Sequence, residues 1–226
     1  MVSGFRFQVK NLNLKPETFK TIMNLLIHPT YFPSISHFAA IAQAEKVTFE
    51  MDDNFQKQTN RNRMYIYSPN GIQLLNIPVK HSKGGHQKTK DIRLETAFDW
   101  QKQHFKSLEA AYRTSPFFEY YEDAITPIFN QKHEFLIDLN YQTIEIVSKC
   151  LGLNFEQHKT IEFFKEAPDY KDLRSLANGK KDSTLLTPYT QVFEEKHGFI
   201  NNLSILDLLF NEGRYAKEYL VNQNLF

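Results

Sequence analysis

In the first third of the chain, apolar residues come in short runs that polar residues interrupt at spacings suited to strands, turns and one short helix. Leu25-Leu26-Ile27 reads as a buried strand, and Ile35, Phe38, Ile41 and Ala42 then follow helical spacing to about Ala44. Pro33 suits the first turn of that helix, where its missing N–H would be unpaired anyway. Val47-Thr48-Phe49 reads as a second short buried strand that delivers Glu50, Asp52 and Asp53 to its end. This βαβ-like order predicts a parallel pair, and ligand sites in α/β sheets sit at such strand ends. Met64-Tyr65-Ile66-Tyr67 and residues 72–79 flank Ser68-Pro69-Asn70-Gly71, and Asn-Gly between apolar runs predicts a hairpin. Pro78 marks a strand end or edge.

The rest of the pattern is mainly helical. Thr96-Ala97-Phe98-Asp99 has the form of a capping box. The helix after it stacks Trp100, His104 and Leu108 on one face, with Phe105, Leu108 and Tyr112 on a neighbouring stripe. Ser115-Pro116 predicts a second helix start, and Pro127 predicts a kink or a split in that helix. A third helix buries Leu136, Leu139, Thr143, Ile146, Val147 and Cys150 and ends near Gly152. Residues 165–197 are polar and punctuated, with the clearest loop at residues 178–183. Ser204-Ile205-Leu206-Asp207 forms another capping box before a stop at Gly213. The predicted fold is α/β: a small mixed sheet with a βαβ-like start and a hairpin, packed by a helical C-terminal half. Residues 1–22 carry only a weak strand alternation at Phe5, Phe7 and Val9, readable as an N-terminal strand or as an accessory extension to a domain spanning 23–226.

Composition narrows the class. The 226 residues are 41% hydrophobic and 23% charged, with 20 Phe and 11 Tyr to build a core. A net charge of +1 gives no bulk attraction to nucleic acid, and no run approaches a membrane span. With one cysteine, Cys150, no disulfide framework forms within the chain, so a reducing, cytoplasmic setting is expected, with export without disulfides as the alternative. The sequence leaves any cofactor open. No Cys pair or His-x-x-x-His spacing supports a metal site.

The candidate chemistry is polar and dispersed along the chain. Asp52 and Asp53 would point to opposite faces of a strand, so one of them can line a pocket as general base, hydroxyl acceptor or metal ligand. Arg61 and Arg63 flank Asn62. A guanidinium here has two uses: gripping phosphate or carboxylate, or pairing with Asp53 to hold a site together. Lys80 follows a strand and suits phosphate better than the lysines of the Gly84-Gly85 loop. Trp100 offers a stacking platform and His104 a group able to move protons near neutral pH. The expected partner is a small phosphorylated or sugar ligand.

Several of these pieces resemble the WbqC-like family of bacterial proteins over about residues 24–213. They are His28-Pro29-Thr30-Tyr31-Phe32-Pro33, the Asp52-Asp53 pair, Asn62-Arg63, residues 75–80, Trp100 with His104, Tyr112 with Pro116-Phe117-Phe118, Leu139-Asn140 and the late Asn202 to Phe210 stretch. The chain departs from the family pattern at His28, where Gln is usual, and at Ser34 and Ser36, where Trp and Gly are frequent. The resemblance implies association with O-antigen and other surface-polysaccharide clusters, and acyl or aminoacyl transfer to an amino-sugar nucleotide as a suggested activity. In that reading Asp53 and His104 are catalytic, and Tyr31, Asn62, Arg63, Lys80, Trp100 and Tyr112 bind ligand. A non-catalytic module that binds a glycan precursor or a protein is the alternative.

Overall fold

The computed structural model describes residues 23–80 and 87–225. The weak strand signal and extension at 1–22 and the glycine pair of the basic loop lie outside the described residues. The elements are β1 (Asn24–Ile27), α1 (Ile35–Gln43), β2 (Lys46–Phe49), β3 (Arg63–Ser68), β4 (Gly71–Asn76), α2 (Trp100–Tyr112), α3 (Phe118–Asn130), α4 (Leu136–Leu151), β5 (Glu156–Lys159), β6 (Lys171–Asp172), α5 (Glu194–His197), α6 (Ile205–Glu212) and α7 (Ala216–Val221). The architecture is mixed α/β, as the hydrophobic pattern predicts.

A four-stranded sheet runs in the order β5-β2-β1-β6, and every neighbouring pair is parallel. The β1–α1–β2 unit sits at its centre, in register Ile27 to Phe49. Leu25, Leu26 and Ile27 on β1 and Val47 and Phe49 on β2 are fully buried. Such strands have both faces covered, which is why they read as continuous apolar runs. Burying each of these side chains contributes roughly 1.5–3 kcal/mol. The chain builds outward from β1 to β2 and β5, then returns to the other side of β1 as β6. That reversal places a topological switch point between β1 and β6.

The hairpin β3–β4 pairs antiparallel from Arg63–Asn76 to Ser68–Gly71, with Pro69 and Asn70 at its tip. Helices α2, α3, α4 and α6 pack beside it around Leu108, Tyr112, Phe118, Leu139 and Phe210, all fully buried. Helix α4 ends at Gly152 in the left-handed conformation, φ 60°. At Gly213, φ is 54° and an added Cβ would lie 2.6 Å from the Phe117 ring, so only glycine closes α6 there.

Several local expectations are corrected. Helix α2 starts at Trp100 with Asp99, not Thr96, in the cap position and no side-chain capping bond. Ser115 does not open α3; its hydroxyl donates to the Tyr112 carbonyl at 2.7 Å and closes α2, while α3 begins at Phe118. Pro127 does not split α3, which continues to Asn130. Proline sits there in the last turn on an exposed face, where water can serve the freed carbonyl. The C-terminal half also supplies two strands. All four β5 residues are exposed and β6 has two residues, so neither carries an apolar signature.

Candidate functional site

The carboxyl ends of the parallel strands carry a dense set of buried charges. The Glu50 N–H donates to the Ile27 carbonyl, Thr160 N–H to Phe49 and Leu173 N–H to Leu26, which places residues 28, 50, 160 and 172–174 together at one end of the sheet. Asp53 Oδ2 lies 3.2 Å from His28 Nε2 and 3.1 Å from a terminal nitrogen of Arg61. His28 and Arg61 are buried, whereas the Asp53 side chain keeps 16% of its surface open. Behind them, fully buried Glu50 accepts from Thr160 Oγ1 and the Asp52 N–H at 2.9 Å and from Arg174 at 3.2 Å. Arg174 also grips Asp172. Three basic side chains and three acids thus converge beside the switch point between β1 and β6.

The turn that follows β1 is fastened from several sides. Asn140 Nδ2 donates to the Pro29 carbonyl at 3.1 Å and to the Arg61 carbonyl at 2.8 Å. The Phe32 N–H donates to Thr143 Oγ1, the Tyr31 N–H to the Asn60 carbonyl, and Ser204 Oγ to the Phe32 carbonyl. Phe32 is thereby held at φ 37°, rare for a bulky residue.

Electrostatics separate the members. Burial alone would raise the Asp53 pKa, but the hydrogen bond from His28 and the Arg61 guanidinium outweigh it and hold it below the usual carboxylate range. Burial lowers the Arg61 pKa to about 10, leaving it charged at neutral pH. Burial also lowers His28, against the pull of Asp53, so the ring is neutral and offers N–H to the carboxylate. Its Nδ1 and the Arg61 Nε are buried without a hydrogen-bond partner. His37, on α1 behind this cluster, is fully buried and lowered by burial to about 3.

A low-pKa aspartate stays anionic throughout the physiological range. That makes it a fixed acceptor for a hydroxyl or amine hydrogen more than a strong proton abstractor. Asp52 points elsewhere, to Lys90 Nζ at 2.5 Å. The two acids thus serve different partners. Among the described residues, no group of three or more His, Cys, Asp or Glu is arranged to hold a metal.

The other sequence-selected residues divide among four places. Asn62, Arg63 and Lys80 line one groove of about 530 Å³, together with Lys57, Glu95 and Phe98. Arg63 Nε donates to Asn76 Oδ1 at 3.2 Å and leaves its terminal nitrogens uncommitted. Asn62 is buried, donating to Asn76 Oδ1 and the Ile77 carbonyl. Lys80 and Phe98 also border a second groove of about 860 Å³, whose wall includes Trp100. Tyr31 and His104 form an interior cluster, with the Tyr31 hydroxyl 3.1 Å from His104 Nδ1 and Trp100 edge-on to both. Burial lowers His104 to about 4, so it is neutral. Tyr112 is sealed in another network. Its hydroxyl donates to Asp207 Oδ1 at 2.8 Å and accepts from the Tyr67 N–H at 3.0 Å. Tyr189 and Gln191 complete the ring around Asp207.

The structure therefore brings Asn62, Arg63 and Lys80 into one groove and Lys80 and Trp100 into the next. Asp53, His104 and Tyr112 lie in three separate environments. Sequence reasoning did not select His28, Asp172, Arg174 or His37 for the site. Glu50 was legible as a strand-end acid, and the pairing of an arginine with Asp53 was one of its two readings for this element; Arg61 fills it.

Comparison with known proteins gives one family and one curated relative. The WbqC-like protein family matches residues 28–184, more than half of the chain. An uncharacterized protein of Mycobacterium tuberculosis, Rv1507c, is 27% identical over 226 residues, covering 86% of this chain and 96% of its own. No solved structure matches.

Proposed function

Because the chain belongs to the WbqC-like protein family, we propose that it is an enzyme acting on a sugar nucleotide or another phosphorylated metabolite of surface-polysaccharide synthesis. Acyl or aminoacyl transfer to an amino sugar is the reaction class that suits its groups. The observation that carries this reading is the part-open Asp53 carboxylate, held by buried His28 and Arg61 at the carboxyl ends of a parallel sheet. Ligands of open α/β sheets bind in that location.

In this reading Asp53 receives the amine or hydroxyl hydrogen of the acceptor and orients it for attack, while His28 and Arg61 position the carboxylate. Arg63 and Lys80, sharing a groove with Lys57, hold phosphate. Trp100 stacks at the end of the adjoining groove. His104 and Tyr31 set the wall behind Trp100 through their mutual hydrogen bond.

The test is incubation with nucleoside-diphosphate amino sugars and acyl or aminoacyl thioesters, read by mass spectrometry. The expected product is the sugar nucleotide increased by the acyl mass, absent with Asp53→Asn. A second reading, a module that binds such a precursor without turnover, is favoured by the lowered pKa of Asp53, which makes it a hydrogen-bond acceptor more than a base. Binding of the sugar nucleotide with its mass unchanged across all donors would select it. No binding of any phosphorylated sugar would remove both.

A further inference from the structure

A separate pocket of about 290 Å³ opens where the turn after β1 meets the 178–183 loop and the start of α6. It is at the small end for ligand cavities, too small for a nucleotide and suited to a compact metabolite. Its apolar floor is Phe32, Met64 and Leu203. Around that floor stand Arg63, Lys180, Asp182 and Asn60.

The hydrogen-bond inventory shows which of these groups are available. Asp182 already accepts from Ser36 Oγ at 2.5 Å, Asn202 Nδ2 at 2.7 Å and the Thr184 N–H at 3.0 Å. A carboxylate has about four acceptor positions, so one remains. Asn60 is 7% exposed, yet its side-chain amide makes no hydrogen bond among the described residues. A Cβ on Gly179 would stand 3.1 Å from that amide, so the loop's glycine lets it lie against the wall. Among the described residues Lys180 likewise makes no ion pair, and the two terminal nitrogens of Arg63 make no hydrogen bond.

The backbone of this wall is also held in unusual conformations. Phe32 at φ 37° and Asn202 at φ 56° both line the pocket. Strain of this kind, pinned by the Ser204 and Thr143 hydroxyls and by Asp182, gathers where a fold fixes a binding surface.

We infer that this pocket binds a free α-amino acid as its zwitterion. Arg63 and Lys180 receive the carboxylate. The remaining Asp182 acceptor and the Asn60 carbonyl oxygen receive the ammonium. Phe32, Met64 and Leu203 contact the side chain. A phosphate dianion suits the pocket less well, because Asp182 stands among the cations and repels it. The pocket lies apart from Asp53 and shares Arg63 with the Lys80 groove, but Lys180, Asp182 and Asn60 belong to it and not to that groove, so the inference does not rest on the phosphorylated-ligand reading.

The test is calorimetric titration of the full chain with each common L-amino acid, singly at millimolar concentration. The best binder is then compared with its deaminated acid and its decarboxylated amine. The amino acid should bind more tightly than either analogue by about tenfold or more, since each analogue leaves charged hydrogen-bonding groups unpaired. Lys180→Ala, an exposed substitution, and Gly179→Ala, which crowds Asn60, should each weaken binding several-fold with the unfolding midpoint retained. No binding by any amino acid, an acid analogue that binds as tightly, or an unchanged affinity in Lys180→Ala overturns the inference. Sugar-nucleotide binding is measured in parallel. Its absence alongside intact amino-acid binding removes only the functional proposal, and the reverse result removes only this one.

Discussion

Two buried polar clusters in this molecule have opposite character. Around Asp207, the hydroxyls of Tyr112 and Tyr189 and the amide of Gln191 all donate to one carboxyl group, and each partner is buried. Burial raises the Asp207 pKa, against those hydrogen bonds. The cluster is closed and its groups are satisfied. At the sheet end, His28, Arg61, Glu50, Asp53 and Arg174 are also packed together, but His28 Nδ1 and Arg61 Nε have no partner and Asp53 reaches solvent. A satisfied network rigidifies a core, whereas an incompletely satisfied one costs stability and is retained where it does something else. The difference is that between a network closed on itself and one left open to solvent, and the proposed function draws on the second.

Acidification gives the largest expected contrast. Burial holds His28, His37 and His104 below the ordinary 6.5, His37 at about 3 and His104 at about 4. Unfolding at acid pH therefore takes up protons that the folded state refuses. Stability is fully present above pH 6.5 and falls as pH drops toward these folded values, at up to about 4 kcal/mol per pH unit for three protons. Two of the three rings belong to the sheet end. His37→Leu and His104→Leu should thus each remove about one proton's share of the slope of stability against pH, about 1.4 kcal/mol per pH unit, and His28→Gln a further part. Equal slopes in all variants would erase the contrast.

Next in size is the closed cluster itself. Asp207→Ala strands two tyrosine hydroxyls and an amide in the core and should cost about 3–5 kcal/mol in urea unfolding. Asp53→Asn keeps an acceptor for His28 and Arg61 and leaves one edge in water, so it should cost about 1–2 kcal/mol. A loss as large as that of Asp207→Ala would make Asp53 a structural residue. The smallest stability effects belong to the groove. Arg63→Ala and Lys80→Ala should each change stability by less than about 0.5 kcal/mol while weakening sugar-nucleotide affinity about tenfold. Unchanged affinity by titration in both would remove the groove from the site.

The legible part of this fold was the part written in apolar side chains. Leu25-Leu26-Ile27 and Val47-Thr48-Phe49 announce the parallel pair because both faces of those strands are covered. The hairpin and α4, with its stop at Gly152, were equally plain. Strands β5 and β6 were not, because Glu156-Gln157-His158-Lys159 is an exposed edge with no apolar side chain to announce it. With β6 unread, the switch point and the partnership of Arg174 with Glu50 had no local signal. Asp53 stood out as an acid at a strand end, but that His28, 25 positions earlier, would close on it depends on the parallel register of β1 and β2.

On the proposed function, Asp53 acts in chemistry and Asp207 in architecture. The measurement that tests it most directly is mass-spectrometric turnover of nucleoside-diphosphate amino sugars with acyl donors, run on the wild type, Asp53→Asn and Asp207→Asn at a temperature where all three are folded. The account predicts product from the wild type and Asp207→Asn and a loss of about a hundredfold or more in Asp53→Asn, the scale of a removed acid–base or positioning group. Equal turnover by Asp53→Asn and the wild type would contradict it.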